Sequence, residues 1–322
     1  MQLSIFKYMF KIPDLRKRII FTLSMFAVYR LGAAVPVPGV DLDAVQRLTE
    51  SGAQAGIYGL LNLFSGGALE TFSVFALGIM PYITSSIILQ LLTVVIPRLQ
   101  KLQEEGESGR KVITQWTRYV TVVLALLQST GLTYIFSRGS LTGGISLIPN
   151  YTPSRVGLIV LTMTAGTAFI MWLGELISQR GIGNGMSLII FASIISQLPA
   201  SFGGAYQVTA GQGRIGQFSV LVLMFFLMIV GIIYVEQGQR RIPIQFAKRV
   251  RGRKVMGGQS TYIPLKVNSA GVIPVIFATS VLFFPALIAT SLPQDNRVTA
   301  GIRNWIDVNL ANSQGTSWFY IF

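Results

Sequence analysis

The chain has no cysteine and no histidine among its 322 residues. The first absence removes thiol nucleophiles and disulfides, and the second removes imidazole bases and the commonest ligands of transition metals. Charged residues are also scarce, at 12% against about 25% in a typical soluble domain. Together with 51% hydrophobic residues and a mean hydropathy of +0.58, this shortage indicates a protein whose solvent is lipid.

Carboxylates at membrane depth are a third absence. The 12 Asp and Glu residues fall almost entirely in loops and at the ends of apolar stretches. A charge at the bilayer centre costs at least about 2.5–3.5 kcal/mol and usually marks ion coupling or chemistry. The stretch "RGIGNGMS", Arg180 to Ser187, lacks the lysine and preceding strand of a phosphate-binding loop. The sequence therefore predicts no enzyme, no catalytic or metal site and no cofactor.

Apolar stretches long enough to cross about 30 Å of hydrocarbon recur along the chain. The fifth of them is short and polar-edged, and the final "SWFYIF" looks like the opening of a further span, so we expect a truncated chain. The predicted spans lie near Ile19–Val35, Phe72–Ile96, Trp116–Phe136, Val156–Ile177, Met186–Leu198, Phe218–Val235 and Val267–Ala289.

Basic residues are distributed unevenly between these spans. If Met1 is cytosolic and the sides alternate, cytosolic segments hold about three times as many Lys and Arg residues as external ones, as the positive-inside rule demands. The rule also supports the fifth span, because without it the most basic loop would lie outside. The first span has no convincing cleavage site and is interpreted as a retained helix. We therefore predict a multi-pass protein with a cytosolic N-terminus.

The longest predicted cytosolic loop, residues 239–266, is strongly basic. Its charge fits a loop lying near anionic lipid as well as a docking site for an acidic or phosphate-rich partner. Alternating apolar residues in "RIPIQFAKRVRGRKV" indicate an ordered hairpin and so favour docking. The candidate docking residues are Lys248, Arg249, Arg251, Arg253 and Lys254.

Two predicted spans share a short pattern, "GIMPYI" at residues 78–83 and "GVIPVI" at residues 271–276. The second pattern lies five spans after the first, an odd offset, so the two helices run in opposite directions, as in an inverted repeat with proline-interrupted helices. Pro81 and Pro274 each remove a helical N–H, which bends a helix and frees a carbonyl. Chance is an equal explanation of so short a pattern, because proline is common in membrane helices.

Longer stretches resemble a known family. In this order, "IPDLRKRIIFT", "YRLGAAVPVPGVD", "GGALETFSVFALGIMPYITSSIILQLL", "EEGESGRKVITQWTRY", "RGIGNGMSLIIF" and "QSTYIPLKVNSAGVIPVIFATS" are similar to the SecY family, the channel subunit of the bacterial protein translocase. The resemblance implies an all-α polytopic membrane protein, an inverted-repeat helical bundle with two halves of five helices. Residues 1–203 would form the first half, including a plug segment at 57–67. Residues 204–322 would form part of the second half, including the loop 239–266.

The resemblance also implies a function. The chain would be a polypeptide-conducting channel for secretion across, and insertion into, the bacterial cytoplasmic (inner) membrane. The implied partners are the SecE and SecG subunits, the SecA motor ATPase, the ribosome, signal-sequence-bearing polypeptides and membrane lipids. The alternatives are an inverted-repeat secondary transporter of a small solute, which the missing midplane charge disfavours, and an insertase or scaffold without a pore.

Site residues follow from the same resemblance, although isoleucine at helical spacing by itself indicates core packing. A ring of isoleucines would narrow the pore, and a short plug helix with glycine hinges at Gly56, Gly59, Gly66 and Gly67 would close it; an interfacial helix is the alternative for that segment. The pore ring would comprise Ile79, Ile83, Ile190, Ile194 and Ile276. The plug would comprise Tyr58, Leu60, Leu61, Asn62, Phe64 and Ser65, and the lateral gate Pro81, Pro274 and Ser280.

Overall fold

The computed structural model describes residues 11–41, 43–45, 62, 65–138, 147–148, 151–211, 213–244, 249–251, 254–256, 261–268, 271 and 301. The main helices in these ranges are α1 Pro13–Ala34, α2 Met80–Val95, α3 Pro97–Glu104, α4 Glu107–Arg138, α5 Pro153–Arg180, α6 Gly185–Gly211 and α7 Ile215–Gln237. The strands are β1 Gln239–Ile244, β2 Arg249–Arg251, β3 Lys254–Met256 and β4 Thr261–Lys266. One compact unit holds the chain up to Pro199, and a second begins at Ala200 and includes α7 and the strands.

Four described helices, α4 to α7, are long and apolar enough to cross a membrane, and each coincides with a predicted span. The span predicted to be short is in fact the 27-residue α6. Helix α7 is the most apolar of the four, with a hydropathy of 2.9. Helix α1 forms where the first span is predicted. Its basic residues keep it from being counted among the helices that are apolar enough to cross a membrane. The predicted seventh span lies almost wholly outside the described residues.

Proline starts several of these helices. Pro13, Pro81, Pro97 and Pro153 each lie in the first turn of α1, α2, α3 and α5. The first backbone N–H groups of a helix have no intrahelical acceptor, so a residue without an N–H costs nothing there, and its fixed φ already suits the helix. Proline therefore marks helix starts in this chain more than bends inside helices.

The predicted second span, Phe72–Ile96, is wrong as a continuous helix. Helix α2 begins only at Met80 and has 16 residues, and residues 66–79 form consecutive turns instead. Gly66, Gly67 and Gly78 have φ values of 68, 84 and 57°, and Phe72 has a φ of 45°. Left-handed residues interrupt the helical hydrogen-bond ladder, and glycine adopts that conformation without steric cost. After α2, the chain bends by 101° into α3.

Residues 65–79, hereafter the turn segment, lie in the core of the first unit. Leu69 and Phe72 belong to one apolar cluster with residues of α4 and α5, whereas Phe75 and Ile79 belong to a second cluster with residues of α1, α5 and α6. The Phe72 ring meets the Phe136 ring edge-on at 4.9 Å. Non-helical backbone is tolerated at membrane depth only where protein or a water-filled cavity surrounds it. The turn segment meets this condition.

Hydrogen bonds tie the turn segment to the residues after α1. The Val74 N–H donates to the Val35 carbonyl at 2.9 Å, and the Val37 N–H donates to the Phe72 carbonyl at 3.0 Å. Against α5 the approach is so close that a Cβ on Gly166 would overlap the Val74 carbonyl oxygen. The segment is therefore fixed on two sides, by α1 and by α5.

The loop predicted to be a hairpin is one, and this prediction is confirmed. In the second unit, β1 pairs antiparallel with β4, from Gln239 opposite Lys266 to Ile244 opposite Thr261, and β2 pairs with β3. The Arg241 guanidinium lies 4.8 Å from the centroid of the Tyr262 ring. Period-2 alternation of apolar residues gave this result, because successive side chains of a strand alternate between faces.

Candidate functional site

Three of the five isoleucines predicted to line a pore pack in the same apolar cluster. Ile79 is the N-cap of α2 and is 2% exposed. It belongs to the second apolar cluster, against which Ile83 and Ile190 also pack. Ile194 lies one turn further along α6 and is partly buried, but it is not part of this cluster. Ile276 lies outside the described residues, so the convergence of all five remains a prediction.

The predicted role of Pro81 as a kink inside a span is wrong. Pro81 lies in the first turn of α2, where it starts the helix. The preceding Gly78 donates its N–H to the Phe75 carbonyl at 2.8 Å, closing the last turn of the turn segment. The other predicted gate residues, Pro274 and Ser280, lie outside the described residues.

Two of the predicted plug residues, Asn62 and Ser65, are described, and both are buried. The Asn62 side chain forms a reciprocal pair with Glu70: its amide donates to the carboxylate at 2.9 Å, and the Glu70 N–H donates to the amide oxygen at 3.1 Å. The Ser65 hydroxyl donates to the Asn62 carbonyl and accepts from the Leu69 N–H. The polar groups of both side chains thus form hydrogen bonds within the protein. Tyr58, Leu60, Leu61 and Phe64 lie outside the described residues.

A group of polar residues joins α1 and α6 to the start of the turn segment. The Tyr29 hydroxyl lies 3.1 Å from the Ser65 carbonyl oxygen and 2.7 Å from the Ser193 hydroxyl. The Arg30 guanidinium donates to the Gly66 carbonyl at 2.9 Å and to the Ser196 hydroxyl at 3.2 Å. We call this group the polar clamp; it consists of Tyr29, Arg30, Ser65, Gly66, Ser193 and Ser196.

Sequence reasoning missed the polar clamp. Its only signals were an arginine in or beside the first predicted span and two serines three residues apart in the fifth. Residues three apart lie on one face of a helix, so the serine spacing was informative once α6 was known to continue through them. A cavity of about 640 Å³ adjoins the clamp, lined by Arg30, Gly66, Gly67, Glu70, Thr71 and Gln197, among others.

An ion pair connects α4 and α5. Arg118 donates from Nε to Glu175 Oε1 at 2.7 Å and from Nη2 to Glu175 Oε2 at 2.6 Å. This two-bond geometry matches the planar guanidinium to the carboxylate and makes the pair stronger than a single contact. The Arg118 side chain is 44% exposed and the Glu175 side chain 18%, so water screens the pair only in part.

Three of the five predicted docking residues lie in the hairpin formed by β2 and β3. Arg249 and Arg251 are in β2 and Lys254 is in β3, where the register places Arg251 opposite Lys254. Lys248 and Arg253 lie outside the described residues. The register thus pairs two basic residues across the β2–β3 hairpin.

The described helices and the interrupted second span define a polytopic helical membrane protein. A model of the SecY family matches residues 73–322. The protein translocase subunit SecY of Streptomyces coelicolor is 50% identical over 329 residues, covering 99% of this chain and 74% of that protein. The chain belongs to the SecY family.

Solved channels share the fold. A structure in which the plug domain of SecY stabilises the closed state of the translocation channel has a TM-score of 0.56 and 19% identity, covering 89% of this chain and 60% of that one. The yeast Ssh1 complex bound to the yeast 80S ribosome has a TM-score of 0.62 and 18% identity, with coverages of 87% and 60%. The chain thus spans under two thirds of these solved chains. The predicted fold class and family are confirmed, and a protein translocase subunit is favoured over a small-solute transporter.

Proposed function

We propose that this chain forms the polypeptide-conducting channel for protein secretion across, and insertion into, the bacterial cytoplasmic membrane. The observation that carries the proposal is the interrupted second span. In that span, non-helical backbone at residues 66–79 packs inside the helices of the first unit. Such backbone needs protein or water around it, as a channel with a folded-in closing segment provides.

The test is translocation by the reconstituted complex. Vesicles holding the purified channel, supplied with a motor, ATP and a preprotein with a signal sequence, are expected to protect the preprotein from added protease. The competing transporter predicts uptake of a small solute down its gradient without a motor. Solute uptake without any protected preprotein would contradict the proposal.

Residues 57–67 act as the plug in this proposal, and five isoleucines form the pore ring. Support for the ring comes from the shared cluster of Ile79, Ile83 and Ile190, at the start of α2 and on the facing part of α6. Branched apolar side chains resist wetting, so a narrow ring of them stops ions and still yields to a passing chain. Ile194 and Ile276 complete the ring in this proposal.

The lateral gate includes Pro81, Pro274 and Ser280. Pro81 supports this role because it starts α2 immediately after the turn segment. A helix that begins at a proline has no N–H there to tie it to the preceding turn. Helix α2 can therefore tilt with less resistance than a continuous span, and an apolar segment of a client can pass into lipid beside it.

The basic hairpin docks the ribosome or the SecA motor. Arg251 opposite Lys254 supports this role, because like charges on directly opposed residues destabilise a hairpin unless an anionic partner compensates for them. The docked partner supplies the energy, so the channel itself is passive and not an enzyme. SecE and SecG complete the complex, membrane lipids surround it, and the N-terminus faces the cytosol.

A further inference from the structure

Two hydroxyl groups of the polar clamp, those of Ser193 and Ser196, each have a second acceptor on their own helix. Resting on the proposed channel function, we propose that the polar clamp is a releasable catch for Ser65 and Gly66, at the start of the turn segment, in which Tyr29 and Ser193 are positioning residues that exchange hydrogen bonds when the channel opens. The hydroxyl groups have more acceptors within reach than they have protons to donate.

Tyr29 and Ser193 have two hydroxyl protons and three places for them. The hydroxyls lie 2.7 Å apart, the Ser65 carbonyl lies 3.1 Å from the Tyr29 hydroxyl, and the Ile189 carbonyl lies 2.9 Å from the Ser193 hydroxyl. In the engaged arrangement, Ser193 donates to Tyr29, and Tyr29 donates to the Ser65 carbonyl. In the released arrangement, Tyr29 donates to Ser193, and Ser193 donates to Ile189 within α6. Both arrangements contain two hydrogen bonds.

The Ser196 hydroxyl in the second half of the clamp has the same property. The Ser196 hydroxyl lies 3.4 Å from the Gly66 carbonyl but only 2.7 Å from the Ser193 carbonyl of its own helix. When Gly66 leaves, Ser196 therefore keeps an acceptor. The Ser65 carbonyl also keeps a donor, because the Ala68 N–H lies 3.4 Å from it within the turn segment. Release leaves no hydroxyl unpaired, which is the costly outcome in an apolar interior.

Because its hydroxyl groups can exchange partners, the clamp differs from hydrogen bonds that only stabilise the folded state. Ser193 is 1% exposed and Tyr29 is 2% exposed, so water does not replace a partner that either of them loses. If Ser193 is removed, Tyr29 has only the Ser65 carbonyl left and the engaged state gains by about one hydrogen bond. If Tyr29 loses its hydroxyl, Ser193 donates to Ile189 in both states and the balance does not change.

The test is a pair of substitutions in the full reconstituted complex, measured as the translocation rate of a preprotein with a weakened signal sequence. Ser193→Ala is expected to slow it by about two- to tenfold, the effect of one net hydrogen bond. Tyr29→Phe alone is expected to leave the rate near that of the wild type. Tyr29→Phe added to Ser193→Ala is expected to restore the rate. Ser201→Ala, an exposed serine of the same helix, is the matched control and should have no effect.

A static role predicts a different pattern. If the bonds only hold the fold, Tyr29→Phe and Ser193→Ala both lower the folded yield, and the double variant is worse than either single variant. That pattern, or a Ser193→Ala rate equal to the wild type, would overturn the proposal. If the wild-type complex itself translocates no preprotein, the channel function fails, which is a separate result.

A disulfide gives a second test, in which the reduced double variant, strained by the φ of 68° at Gly66, is its own control. A Cβ built on Gly66 lies 3.3 Å from the Ser193 Cβ, near the 3.5–4.5 Å that disulfides span, and the natural chain has no cysteine to interfere. In the Gly66→Cys, Ser193→Cys double variant, oxidation is expected to stop translocation and reduction to restore it in the same molecules. Full translocation with the disulfide formed would show that the clamp need not release.

Discussion

Asparagine at Ile79, the N-cap of α2, and at Ile83, one turn into that helix, should have opposite consequences. Ile79 is 2% exposed and fully inside the second cluster, whereas Ile83, one turn later, is only partly buried and packs against that cluster. Ile79→Asn removes core contacts, which costs about 2–5 kcal/mol, and buries an amide without partners, which adds about 1–3 kcal/mol. We therefore expect Ile79→Asn to lower the folded yield severely, because the summed cost is a large share of the about 5–15 kcal/mol that stabilises a whole domain.

Ile83→Asn should fold and leak. A half-buried site loses a smaller share of its contacts, about 1–2 kcal/mol, and an asparagine that faces a cavity holds water by hydrogen bonding and lowers the barrier to wetting. The assay pairs folded yield in detergent with ion conductance in planar bilayers, and Ile83→Val is the matched apolar control. Ile276→Asn is expected to behave like Ile83→Asn. An Ile83→Asn channel that is sealed, or as poorly folded as Ile79→Asn, would refute the role of this residue in the pore ring.

Three further predictions concern other parts of the chain. Reversing Arg253 and Lys254 to Glu should weaken ribosome or motor binding, with the largest difference from wild type at low salt; equal affinities would leave a lipid-proximal loop. A double-mutant cycle on Arg118 and Glu175, each changed to Ala, should give a coupling of about 1 kcal/mol in thermal unfolding, and zero coupling would show that the pair does not stabilise the α4–α5 contact. Gly166→Ala should destabilise by about 1–3 kcal/mol through overpacking against the turn segment; an unchanged melting temperature would show that the segment yields.

Hydropathy correctly predicted the long apolar helices. Helices α4 to α7 are long apolar runs, so composition and length were enough. The interruption before α2 was not predicted, because the stretch from Phe72 is as apolar as a membrane span. The positive φ values of Phe72 and Gly78 also leave no periodic pattern in the sequence. The hairpin followed from alternation, since period 2 is specific to strands.

The candidate site was less predictable than the fold. The isoleucines were found through a family resemblance, because an isoleucine in a pore and one in a core have the same spacing. Tyr29 and Ser193 are 164 residues apart in the sequence, and single hydroxyls in apolar helices occur for many reasons. Their contact exists only once α1 and α6 have packed, and no local pattern encodes that contact.

The close contact between the turn segment and α5 also sets an order of events during synthesis. Residues 65–79 leave the ribosome before α5, whose last residue is Arg180, about 100 residues later, yet the clusters that enclose them need side chains of α5. At about 5–20 residues per second, the segment waits roughly 5–20 s without the partner that shields its backbone from lipid. During this interval it has to stay in water or at the membrane surface. Its final position is therefore reached after the spans around it, although its residues are made earlier.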